Sequence, residues 1–179
     1  MTINEENDNE SKESSAIRGD FEQSRSRTRA MRILGNRQLS SCEMEKRLVN
    51  KGESEETAQK TVQWLESIGA VNDEEYAEAV VRHYSSKGYG LARIRDELYK
   101  RGIPRELWDE AISCIEASDA ENAATEFIWK KLKGGTDKND LLRVINALCK
   151  RGFSYDEART AAGKYLESVE NTEDGIDVV

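Results

Sequence analysis

The chain has 179 residues, 37% of them hydrophobic and 35% charged, with a single proline and a formal net charge of −8. No apolar run approaches the ~20 residues needed to cross a bilayer, and the polar, acidic N-terminus lacks the apolar stretch of a secretory signal. The three cysteines, Cys42, Cys114 and Cys149, are too widely spaced for a disulfide framework or a zinc site, which fits a reducing cytoplasm.

Average proline usage near 5% would give roughly nine prolines, so runs of Ala, Leu, Glu, Lys and Arg are left uninterrupted and predict helix throughout. Residues 1–24 carry seven acidic side chains against two basic ones and little to bury, and residues 1–25 are expected to form a disordered acidic tail. A first three-helix module is predicted over 26–71. Its helices run through Ala30, Ile33 and Leu34, through Met44 and Leu48, and through Val62, Trp64, Leu65 and Ile68. The second module, 72–116, opens with Tyr76, Ala77, Val80 and Tyr84, continues through Leu91, Ile94 and Leu98, and closes with Leu107, Ala111, Ile112 and Ile115. The third, 117–167, runs from Ala124, Phe127 and Ile128, through Leu141, Val144, Ile145 and Leu148, to Ala158, Ala161 and Tyr165. Spacings of three and four residues give each helix one apolar stripe, into which Cys114 and Cys149 fit as small apolar residues. Residues 168–179 are expected to be a second disordered acidic tail; five acids and no base fall in 166–179. The segment between the tails keeps 25 bases against 23 acids, so the folded part is mildly basic.

Helix starts are signalled by Ser40 with Glu43, Asn72 with Glu75, Ser118 with Glu121 and Ser154 with Glu157, each spaced as a capping box. Pro104 suits a first helical position and Asp140 a cap for the middle helix of the third module. The helix ends carry a repeat. Leu48, Leu98 and Leu148 stand fifty residues apart, and each opens one phrase: Leu48-Val49-Asn50-Lys51-Gly52, Leu98-Tyr99-Lys100-Arg101-Gly102, Leu148-Cys149-Lys150-Arg151-Gly152. An apolar Met44, Ile94 or Val144 precedes each Leu by four residues. In this phrase the Leu packs inward, the basic residues face the negative end of the helix dipole, and the glycine takes the left-handed conformation that closes the helix. Modules of this size have small cores and are stabilised by stacking. The fold class read here is therefore all-α: three tandem three-helix, helix-turn-helix-like repeats in an elongated, curved rod, each repeat roughly 25 Å across and the whole roughly 70 Å long.

Chemistry is sparse. The only histidine, His83, lies at a helix C-terminus, where it favours the dipole. Lys87-Gly88-Tyr89-Gly90 lacks the length and the Lys-Ser/Thr of a phosphate-binding loop. No acid–base pair stands out among the carboxylates. The chain is read as a binding protein, with no enzymatic activity, catalytic residue, cofactor or metal. Basic and aromatic residues are its marked feature. The second module brings together Arg82, Lys87, Tyr89, Arg93, Arg95, Lys100 and Arg101, the candidate contact residues, with Tyr84 and Tyr99. The first module adds Arg25, Arg27, Arg29, Arg32 and Arg37, and the third Lys130, Lys131, Lys133, Lys150 and Arg151. Such a stripe suits phosphates or an acidic protein groove.

The central module reads Asp73-Glu74-Glu75-Tyr76-Ala77 and then Lys87-Gly88-Tyr89-Gly90-Leu91-Ala92-Arg93-Ile94-Arg95-Asp96-Glu97-Leu98-Tyr99-Lys100-Arg101-Gly102-Ile103. With Arg37-Gln38-Leu39-Ser40 before it and Leu148-Cys149-Lys150-Arg151-Gly152-Phe153 after it, this resembles the RecX family of bacterial recombination regulators over about residues 28–165. The resemblance implies a cytoplasmic protein that lodges along the filament of the RecA recombinase on DNA, limits its growth and lowers its ATPase and strand exchange. It assigns no roles to the stripe residues. The expected partners are that filament and the DNA within or beside it, with no membrane and the chain as a monomer. The alternative reading is a free-standing helix-turn-helix-like DNA-binding protein. One departure stands out: Glu53 follows Gly52 where the other repeats have Ile103 and Phe153, which predicts a looser first turn because the apolar contact behind the glycine is missing.

Overall fold

The computed structural model describes the backbone over 3–115 and 117–173, and side chains over 18–115 and 122–171. Every regular element among the described residues is helical: α1 (Ile3–Leu34), α2 (Ser41–Asn50), α3 (Glu55–Ser67), α4 (Asp73–Ser86), α5 (Leu91–Lys100), a 3-10 turn (Arg105–Leu107) leading into α6 (Trp108–Ser113), α7 (Ala117–Leu132), α8 (Lys138–Lys150) and α9 (Tyr155–Glu173). The chain divides into two compact units, residues 1–76 and 77–179.

In the first unit α1 and α2 pack on α3 around Ala30, Leu39, Met44, Leu48, Ala58, Val62, Leu65 and Val71. Helix α1 runs through the segment read as an acidic tail. There Gln23 donates to Thr61 Oγ1 at 2.8 Å, and Thr61 donates to the buried Ser26 at 2.9 Å, so contacts with α3 start before residue 26. Composition hides this because the groups buried are amide and hydroxyl rather than apolar. Ile68, expected in the core, is 50% exposed because α3 ends at Ser67 and Gly69 turns the chain away.

In the second unit α7 and α8 pack on α9 around Ala124, Ile128, Val144, Ile145, Leu148, Phe153, Ala158, Ala161, Tyr165 and Val169. Val169 carries the stripe of α9 one turn beyond Tyr165, past the boundary read at residue 167. Ala77, Val80, Val81, Ile94, Leu98, Ile103 and Ala111 are buried along α4, α5 and α6. The last helix of that set is only six residues long, after a 3-10 turn capped by Pro104, so Cys114 is exposed rather than part of a stripe.

The three repeat phrases share one geometry. The amides of Gly52, Gly102 and Gly152 bond the carbonyls of Val49, Tyr99 and Cys149 at 2.9, 2.9 and 3.0 Å, and the next amides bond those of Leu48, Leu98 and Leu148 at 3.1, 3.1 and 3.2 Å. This is the Schellman ending, with each glycine at positive φ. The first turn is therefore no looser than the others. Glu53 lacks an apolar contact but is ion-paired with Arg29 of α1, which also donates to the Lys51 carbonyl at 3.3 Å.

Helix starts follow the same economy. Ser40 and Glu43 form a reciprocal capping box, as do Ser154 and Glu157. Asn72 accepts from the amides of Glu74 and Glu75. Helix α8 is capped by Asp137 and not by Asp140, whose amide donates to Asp137 at 3.0 Å: the earlier carboxylate, on extended backbone, reaches two amides. The side chains of Ser118 and Glu121 lie outside the described residues.

Candidate interaction surface on the second unit

The turn after α4 is closed by Gly88 in the left-handed region (φ 70°), with the amide of Tyr89 bonded to the Tyr84 carbonyl at 3.1 Å. Two residues later Gly90 starts α5 with no side chain to cap it. The cap comes from the turn between α8 and α9. Its Arg151 carbonyl accepts from the Gly90 amide at 3.0 Å, and its Gly152 carbonyl accepts from the Ala92 amide at 3.1 Å. Carbonyls that a helix end leaves unpaired thereby meet amides that a helix start leaves unpaired.

Arg151 closes the same joint from the side. Its guanidinium donates to the carbonyls of Lys87 (2.7 Å) and Gly88 (3.0 Å) and lies 4.6 Å from the Tyr89 ring centroid and 4.8 Å from that of Phe127. Donation at the C-terminal end of α4 suits a cation, and the two rings suit a planar one. The Lys-Gly-Tyr-Gly segment is thus a seat for another helix turn, which accounts for its glycines without a phosphate.

A second cluster centres on Glu97, only 8% exposed. Its carboxylate accepts from the Tyr84 hydroxyl at 2.8 Å and pairs with Arg93 at 2.9 Å, Lys100 at 3.5 Å and Arg101 at 3.8 Å. A buried carboxylate needs such company, since an unpaired charge away from water is costly. Beside it, the hydrogen bond from Lys100 to Asp96 (2.7 Å) holds Asp96 below the ordinary carboxylate range and raises Lys100 above the ordinary lysine range.

These contacts sort the stripe residues read from the sequence. Arg93, Lys100 and Arg101 converge on Glu97, and Arg82 pairs with Glu78 at 2.9 Å. Tyr89 is packed between Tyr84 and Arg151. Lys87 and Arg95 are exposed, with no side-chain ion pair among the described residues, and Tyr99, one turn after Arg95, is 66% exposed. Composition led to the cations but not to Glu97, although its place four residues after Arg93 and four before Arg101 puts all three on one helix face. Arg151 read as a surface cation because its partners lie more than sixty residues away. His83 is exposed, with its ring edge-on to Tyr84. Among the described residues no cluster of His, Cys, Asp and Glu is arranged to hold a metal, and no helix is long and apolar enough to cross a membrane.

The architecture is that of an all-helical protein in which one helix–turn–helix phrase recurs at fifty-residue intervals. Comparison places it more closely. Residues 72–112 match the family model for the second three-helix domain of RecX. The chain is 32% identical over 141 residues to the regulatory protein RecX of Xanthomonas axonopodis pv. citri, covering 78% of this chain and 86% of that one. It is 30% identical over 145 residues to that of Pseudomonas putida, covering 79% and 92%. The crystal structure of RecX from Lactobacillus salivarius shares the fold, with a TM-score of 0.75 at 21% identity over 82% of this chain and 97% of that one. The chain belongs to the RecX family of regulatory proteins.

Proposed function

We propose that this chain is a cytoplasmic, non-catalytic regulator that binds the RecA–DNA filament as a monomer, limits filament growth and lowers ATP hydrolysis and strand exchange. The observation that carries the reading is its likeness to proteins named regulatory protein RecX over most of both lengths. The second unit is suited to such binding. A jointed pair of helix turns offers a rigid face, and Lys87, Arg95 and Tyr99 stand out from it as contact residues of cationic and aromatic character. The paired cations Arg93, Lys100 and Arg101 serve that face by holding α5 in shape.

The test compares binding to naked and to recombinase-coated DNA at physiological salt, with ATP hydrolysis followed in parallel. A clear preference for the coated form and slowed hydrolysis are expected. Equal binding to both forms would instead favour a free-standing DNA-binding protein, whose affinity should fall steeply with salt.

A further inference from the structure

A further set of cationic side chains lies on α1. Arg18, Arg25, Arg29 and Arg32 are seven, four and three residues apart, so they line one face of that helix over about 21 Å at 1.5 Å per residue. The opposite face holds Gln23, Ser26 and Ala30 against the rest of the unit. Arg29 is spent on Glu53 and the Lys51 carbonyl. Arg25 and Arg32 are exposed and form no ion pair among the described residues, in contrast to Arg93, Lys100 and Arg101.

With Ser24, Thr28 and Arg29 they line a shallow cleft that contains no carboxylate; Glu22 and Glu53 border the neighbouring cleft beside Lys51. The guanidinium groups are donors only and the Ser24 hydroxyl is a donor by rotation, a set suited to phosphate oxygens, while the Thr28 hydroxyl donates to the Ser24 carbonyl at 3.0 Å. At the head of the cleft Phe21 is 64% exposed, with the Arg25 guanidinium 5.8 Å from its ring centroid. An exposed ring costs solvation and offers a face on which an unpaired base stacks, which a duplex cannot use.

We infer that the exposed face of α1, through Arg25, Arg32 and Phe21, is a single-strand nucleic-acid binding surface, with the arginines on the phosphodiester backbone and the ring under a base. It builds on the filament reading only in that a filament supplies such a strand.

The test is anisotropy of a labelled oligothymidylate titrated with the full chain at several salt concentrations. R25E/R32E is expected to weaken binding by at least about tenfold and to flatten the log–log salt slope by about 1.4, at 0.7 per phosphate contact. R25K/R32K should keep the slope. F21A should weaken binding to the oligothymidylate but not to a duplex, leaving the slope unchanged. K138E/R159E makes the same charge change at two exposed sites in the third module and should bind as the parent does. The inference is overturned if the parent does not bind the strand, if K138E/R159E weakens it as much as R25E/R32E, or if polyglutamate displaces the strand as well as unlabelled oligothymidylate does. Sedimentation of the parent with recombinase filaments separates the two claims: its failure there sinks the filament reading and leaves this one standing.

Discussion

The backbone of Gly152 occupies the space that a β-carbon on Gly90 would need: such a carbon would lie 2.3 Å from the carbonyl carbon and oxygen of Gly152. Gly152 is equally confined, since its own β-carbon would come within 2.4 Å of the Arg93 amide nitrogen. Gly52, at the matching place in the first repeat, has nothing within 4 Å.

Alanine at these three positions should separate two costs. G52A meets only the left-handed backbone penalty, about 1–2 kcal/mol. G152A carries that penalty and a clash, adding about 1–3 kcal/mol. G90A has no positive φ to strain, so its loss of about 1–3 kcal/mol or more is the clash alone. Urea denaturation of the three variants gives the ranking, and equal costs for G52A and G152A would show that the joint does not close in solution.

Removing the Glu97 carboxylate should be destabilising. E97A leaves Tyr84, Arg93, Lys100 and Arg101 without their shared acceptor and should cost about 1.5–3 kcal/mol, as for hydrogen bonds to a charged group, because the cations left behind are partly in water. Y84F loses a single hydrogen bond to a charged group, about 1.5–3 kcal/mol. A cycle with Y84F, E97A and the double variant should show strong coupling; additive costs would mean that the two groups do not interact.

Arg29 and Glu53 replace an apolar contact by an ion pair across the first unit. With Glu53 largely covered and Arg29 about one-third exposed, a double-alanine cycle should give a coupling of about 1 kcal/mol that weakens as salt rises. E53I, which restores the apolar residue of the other repeats, should lie within about 1 kcal/mol of the parent if Arg29 swings into water.

Glu66 provides a pH test. Although Glu66 is exposed, partial desolvation and the nearby negative Asp73 push its carboxyl above the ordinary glutamate range. Its charged form is therefore disfavoured in the folded chain, and the parent gains relative stability as pH falls through the window between the raised and the ordinary value. E66Q should be more stable than the parent at neutral pH and lose that advantage below the window. An advantage unchanged at low pH would rule out ionisation as the cause.

What the sequence made legible follows from the range of each interaction. Stripes such as Ile94 and Leu98, the turns at Gly52, Gly102 and Gly152, and the caps at Ser40 and Ser154 depend on neighbours within a few residues, and spacing alone reveals them. The cap of α5, the seat of Arg151 and the bond between Gln23 and Thr61 join residues far apart in the chain, and local pattern is silent about them. For the surface, composition counts cations without their partners. It therefore gives Arg93, Lys100 and Arg101 the same weight as Lys87 and Arg95, although the first three are engaged by Glu97.

Because α5 takes its first two hydrogen-bond acceptors from the turn before α9, the second repeat is unfinished until the ribosome has delivered residues some sixty positions downstream. A fragment cut after α6 would leave those amides to water and the Tyr89 ring without its guanidinium partner. Maturation of the middle repeat thus waits on its successor, and a lesion in the last third of the chain reaches a surface that it never touches.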